Sequence, residues 1–220
     1  QRARPRILVA EDNVVNQKLA VRMLDRLGYQ PDIVSNGQEA VAAFERGLYA
    51  AIVMDCQMPT MDGYEATRRI REQEQQPNAS CTRAHVPIIA LTANAMPGDR
   101  ERCKAVGMDD YLSKPVKTDD LGRLLQRWAP LATPDHAPAP TPPREMTKTD
   151  ARVFDASTML VNIGGDVDLF DQLIRLLLER HRMIVQEIEV AITQAYGVAV
   201  ERAAHSLKGT AGNLCAPEVV

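Results

Sequence analysis

The 220-residue chain has no long run of Lys and Arg, and its net charge is −3 with a pI near 5.9. A direct nucleic-acid partner is therefore not expected. No apolar run approaches the roughly 20 residues that span a bilayer, and no signal peptide opens the chain, so no direct membrane contact by these residues is expected. Cys56, Cys81, Cys103 and Cys215 form no CxxC pair and no metal-like spacing. Free thiols in a reducing cytoplasm are the expected state. The chain starts QRARPRILVA without an initiator Met and is read as a piece of a longer polypeptide. An inner-membrane anchor in that parent stays open.

What is present divides into two textures. The hydrophobic fraction of 45% is ordinary for a globular protein. Up to about residue 128, short apolar runs alternate with amphipathic stretches. Strands are predicted at Arg6–Ala10, Asp32–Val34, Ala50–Met54, Val86–Leu91 and Asp110–Leu112. Val15, Leu19, Met23 and Leu27 recur every fourth residue and predict a helix that Gly28 stops. Further helices are predicted over Ala40–Glu45, Gly63–Glu74, Arg100–Val106 and Asp119–Trp128. Such alternation implies an α/β domain, its parallel sheet covered on both faces. The ligand site of such a sheet lies at the C-terminal strand ends.

Residues 129–150 hold six of the fourteen prolines and almost no large apolar residue. They read as a semi-rigid linker with a reach of roughly 60–70 Å when extended. From Phe154 the pattern is helical. Gly164-Gly165 breaks one helix and Asp166 caps the next. Phe170, Leu173, Leu177, Ile184, Ile188, Ala191 and Ala195 form one stripe, with His181 beside it as a packed or edge residue. A second helix is predicted from about Val198 to Leu214.

In the first region Glu11 and Asp12 follow strand one, Asp55 ends strand three, Thr92 ends strand four and Lys114 follows strand five. Clustered carboxylates repel unless a cation joins them, and oxygen ligands of this kind suit Mg²⁺. Lys114 adds a point charge for phosphate and Thr92 a hydroxyl. Each residue alone fits ordinary solvated surface; five at strand ends, with DxxMPxMDG around Asp55 and Lys114-Pro115 behind strand five, do not. Residues 6–128 resemble the receiver domain of bacterial two-component response regulators. The resemblance implies a flavodoxin-like doubly wound sheet of order 2-1-3-4-5, with Asp55 as phospho-acceptor. It implies Mg²⁺ held by Glu11, Asp12, Asp55 and the Gln57 backbone carbonyl, phosphoryl contacts from Thr92 and Lys114, and Tyr111 as an aromatic that turns inward with Thr92. The segment Gln75–His85 is long for its place, and His85 is expected to be exposed loop.

On the second predicted helix, Val200, Ala204, Leu207, Ala211 and Leu214 share one side. His205 falls roughly 150° from that side. Gly209 and Gly212 share the His205 face, and each costs a helix about 1 kcal/mol relative to Ala. Such glycines suit a surface that must let a partner approach an imidazole, and Lys208 flanks it. A neutral imidazole near pH 7 is a competent nucleophile. HSLKGTAGNL, with the residues from Phe154 onward, resembles the histidine phosphotransfer (HPt) domain, an all-α four-helix bundle. The resemblance implies His205 as a second phospho-acceptor, with Lys208 and Gly209 in accessory places. Cys215 stands where the family has Gly. Two further helices are expected for the bundle, so Phe170, Leu173, Leu177 and Leu207 are expected to lack some packing partners, which predicts marginal stability or self-association.

The expected organisation is a receiver domain over 1–128, a linker over 129–150 and a partial HPt domain over 151–220. The resemblance implies a phosphorelay segment of a hybrid sensor histidine kinase, with the upstream kinase core in the parent chain and a response regulator downstream. No ATP-binding motif occurs here, so these residues are not themselves the kinase. A phosphorylation-gated interaction module and a phosphate sink, each with an inert tail, are the alternatives.

Overall fold

The computed structural model describes residues 4–75, 85–92, 97–131 and 165–194, and the single positions 156, 160, 197, 200 and 203. Five parallel strands stand in the order β2-β1-β3-β4-β5: β1 Arg6–Ala10, β2 Gln30–Val34, β3 Ala51–Asp55, β4 Ile88–Thr92 and β5 Asp110–Ser113. The flavodoxin-like expectation is met. Every residue of β3 and β4 is buried, as helix-covered central strands require. β2 is half-exposed and starts Gln30-Pro31. Proline is tolerated there because an edge strand has one unpaired side.

Helices α1 Val14–Arg26 and α5 Thr118–Trp128 cover one face, and α2 Gly37–Arg46, α3 Gly63–Glu74 and α4 Pro97–Ala105 cover the other. Three of these starts are fixed by side-chain caps. The Asn13 side chain accepts from Val15 N–H, Asn36 from Glu39 N–H and Asp62 from Glu65 N–H. Gly28 closes α1 at φ +86°, a conformation that suits glycine.

Four of the five strands differ from the sequence reading by one or two residues at their limits. β3 runs through Asp55, where the sequence reading ended it, because Asp55 still pairs with Leu91. β4 begins at Ile88, after a proline that offers no N–H; the Pro87 carbonyl instead accepts from Ile52 N–H at 2.8 Å.

The opposite end of the sheet is tied by Arg71. Its guanidinium donates to the Gly107 and Val86 carbonyls, each at 2.9 Å, and pairs with Glu74 and Asp109, each at 2.7 Å. His85 is exposed loop, as expected, and there its Nε2 lies 2.6 Å from Asp109 Oδ1 and its Nδ1 3.3 Å from Glu74 Oε2.

The proline-rich stretch also begins differently. Ala129 is buried and its carbonyl accepts from the Tyr29 hydroxyl at 2.9 Å, while Leu131 packs on the core under α1 and α5. Helix α6 Val167–Thr193 then forms, with Asp166 accepting from Leu169 N–H at 3.0 Å. Leu173, expected to lack some packing partners, is covered from the receiver. It is fully buried against Val15 and Leu19 of α1, with Leu169, Phe170 and Ile174 around it. Arg22 pairs with Asp166 at 3.1 Å on the same contact. Farther along α6, Leu178, Val190 and Ile192 remain exposed. The side chains of Leu177 and His181, and residues 204–220, lie outside the described residues.

Candidate functional site

The C-terminal strand ends converge as the polar pattern predicts. Glu11 and Asp12 follow β1, Asp55 ends β3, Thr92 ends β4 and Lys114 follows β5. One carboxylate oxygen from each of Glu11, Asp12 and Asp55 lies within 4.8 Å of the other two. The Lys114 ammonium donates to Asp55 Oδ2 at 2.6 Å and to Glu11 Oε2 at 2.9 Å. Glu11, Asp55 and Thr92 are buried. The Lys114 backbone N–H donates to the Thr92 carbonyl at 2.7 Å, which registers β5 against β4 at this edge. The Lys114–Pro115 peptide is cis.

Two asparagines that the sequence reading passed over hold the acidic shell. Glu11 Oε1 accepts from Asn13 N–H at 3.2 Å and from Asn16 Nδ2 at 3.0 Å. The signal was present: Asn13 directly precedes the apolar periodicity of α1, the place of a cap. Asp55 Oδ1 accepts from Gln57 N–H at 3.2 Å, which brings the loop after β3 back over the carboxylate. Gly63 completes that loop. A Cβ there would stand 2.2 Å from the Asp55 carbonyl oxygen, so no larger residue fits without moving the strand end. Tyr111 is half-buried on β5, with the Arg100 guanidinium 5.5 Å from its ring centre.

Burial pushes the Asp55 carboxyl up from 3.8 to about 7; Lys114 opposes the rise and Glu11 adds to it. Burial alone would lower the Lys114 ammonium, but the charges of Asp55 and then Glu11 outweigh it and raise its pKa. With all three carboxylates ionised, one ammonium leaves two net negative charges in a pocket of hard oxygen donors. That donor set and charge fit a divalent cation such as Mg²⁺.

His205, Lys208 and Gly209 lie outside the described residues. Nearby, Val200 and Ala203 are helical, and Ala203 is buried.

The response regulator receiver domain family matches residues 7–126, and the Hpt domain family matches residues 172–220. The virulence sensor protein BvgS of Bordetella bronchiseptica is 32% identical over 94% of this chain, which spans 17% of BvgS. The receiver domain of a sensor histidine kinase from Pseudomonas aeruginosa, crystallised with a magnesium ion coordinated in its active-site cleft, is 52% identical. It covers 58% of this chain and 98% of its own, with a TM-score of 0.51. A co-crystal of the Saccharomyces cerevisiae histidine phosphotransfer protein Ypd1 with the receiver domain of its downstream response regulator Ssk1 matches at 34% identity. It covers 57% of this chain and 89% of that one, with a TM-score of 0.54.

The chain belongs to the response regulator receiver family. An Hpt domain match follows the receiver, and the chain's relatives include a hybrid signal transduction histidine kinase and sensor histidine kinases, which places the chain in two-component phosphorelay signalling.

Proposed function

We propose that Asp55 accepts a phosphoryl group and passes it to His205, which hands it to a separate response regulator. The observation that carries this reading is the Lys114 ammonium held between Asp55 and Glu11, with Asp12 beside them. An Asp55 oxygen attacks the phosphorus of a phosphohistidine donor; the P–N bond breaks and the departing imidazole takes up a proton. Lys114 and the Thr92 hydroxyl meet the phosphoryl oxygens, while the Gln57 N–H keeps the carboxylate aimed. A magnesium ion held by Glu11, Asp12, Asp55 and the Gln57 carbonyl would supply neutralisation of the charge that gathers there. Tyr111 follows Thr92 inward as the strand end rearranges.

The receiver over 1–128 and the HPt segment over 151–220 act as one relay, joined by the linker over 129–150. The linker holds the two at roughly millimolar effective concentration. The donor is a kinase core in a longer parent chain, cytoplasmic on the side where this segment works. The test is labelling with a small phosphodonor and Mg²⁺, comparing the chain with its Asp55→Asn and His205→Gln variants and with a form extended through the remaining bundle helices. Label should reach His205 only when Asp55 is present. Label confined to Asp55 in the extended form excludes the relay, and absence of Mg²⁺-dependent label on Asp55 excludes the acceptor role itself.

A further inference from the structure

Two thiols that the carboxylate chemistry does not use meet one residue away from it. Cys56 follows Asp55 at the end of β3, and Cys103 sits on α4. Their sulfurs are 3.9 Å apart, both are free, and both are buried in the core that β3, α3 and α4 share. Tyr64 belongs to the same cluster, with the Arg102 guanidinium 4.1 Å from its ring centre.

Cysteine is often a small core hydrophobe, but an apolar core raises a thiol pKa. Here the two thiols share a hydrogen bond in which either sulfur can donate, so each sulfur already faces the one it would bond. A disulfide needs the sulfurs at about 2.05 Å, so closure asks for a shift of about 2 Å.

We propose that Cys56 and Cys103 form a reversible dithiol–disulfide site for a small peroxide oxidant, and that the cross-link slows phosphoryl uptake at Asp55. The Cys103 sulfur attacks one peroxide oxygen; the O–O bond breaks, and the departing hydroxide combines with the Cys103 proton as water. Cys56 sulfur then attacks the resulting sulfenic sulfur. The S–O bond breaks, and hydroxide leaves as water with the Cys56 proton. Two thiols lose two electrons, and one hydrogen peroxide becomes two waters. A dithiol reductant reverses the bond by exchange. The bond ties α4 to the strand residue next to Asp55, and a misplacement of about 1 Å at a reacting centre can cost up to about 100-fold in rate.

The whole chain, fully reduced, is treated with hydrogen peroxide, alkylated under denaturing conditions and mapped by mass spectrometry. Two of the four cysteines should escape alkylation, the intact mass should fall by two hydrogens, and one linked peptide should contain Cys56 and Cys103. Dithiothreitol should restore all four, and Cys103→Ser should abolish the link. Four alkylatable thiols after peroxide, added oxygen in place of lost hydrogen, or a link through Cys81 or Cys215 overturns the proposal. Its second half rests on Asp55 as acceptor. Labelling by a small phosphodonor with Mg²⁺ should be about tenfold slower in the linked chain, should recover with dithiothreitol, and should ignore peroxide in Cys103→Ser. Equal rates overturn the coupling. A reduced chain that takes no label overturns the acceptor reading and the coupling with it, while the thiol map still decides the disulfide.

Discussion

Lys114 places its ammonium 2.6 Å from Asp55 although 59 residues separate them. The pair crosses from the loop after β5 to the end of β3 and is almost wholly out of solvent. Removing the cation leaves Asp55 and Glu11 facing each other without compensation, and breaking a buried pair costs about 3–5 kcal/mol. Lys114→Met should therefore lower stability by that order in metal-free urea unfolding, and Mg²⁺ should return a large part of it. Equal losses with and without Mg²⁺ would mean that the carboxylates do not share a cation site.

The raised Asp55 carboxyl sets a pH dependence. Its folded value of about 7 lies above the ordinary 3.8, so between those values the unfolded chain has released a proton that the folded chain keeps. The stability Asp55 contributes is fully present below 3.8 and is lost as pH rises through 7. In metal-free buffer Asp55→Asn should gain on the parent chain from about pH 4 to about pH 8. Unfolding curves that run parallel across that range exclude a raised Asp55.

Thr60 stores strain in the loop over the site. The Met61 N–H donates to the Pro59 carbonyl at 2.7 Å, closing a three-residue turn that holds Thr60 at φ +69°. A β-branched residue is disfavoured there, and such outliers cost of order 1–3 kcal/mol. Thr60→Gly should stabilise the chain by about 1 kcal/mol after its own unfolded-state entropy is counted. A variant no more stable than the parent would place the turn outside the strained region.

The contact between α1 and α6 should be separable from the receiver core. Leu173 is its fully buried centre, and a carboxylate buried there costs several kcal/mol. Leu173→Asp should free α6 and speed tryptic cleavage at Arg175 about tenfold. The unfolding midpoint of the receiver should stay unchanged. Unchanged cleavage would show that α6 is not held through this residue.

The parallel sheet and the four charged site residues were legible because Glu11, Asp12, Asp55 and Lys114 each end an apolar run, while the strand order came with the receiver resemblance. A parallel sheet sends all such ends to one edge. What was not legible needed contacts between distant residues. Asn16 supports Glu11 through side-chain geometry that no periodicity encodes. Cys56 and Cys103 meet across 47 positions, a pairing that spacing rules for CxxC motifs cannot find. The stripe containing Leu173 read as half of a bundle interface, whereas its partner is the outer face of α1. His85 read correctly as exposed loop, but its contacts with Glu74 and Asp109 form only once α3 and the segment before β5 have come together.

Arg71 gives the sheet a fixed root. Its bonds to Val86, Gly107, Glu74 and Asp109 anchor α3 to the segments leading into β4 and β5 at the end farthest from Asp55. Thr92 and Lys114 stand at the opposite, C-terminal ends of those same two strands. A change of charge at Asp55 therefore acts on cantilevers rather than on loose ends. In the proposed relay, small shifts at the tips have a stationary reference, and the clamp helps to set the direction in which Tyr111 turns.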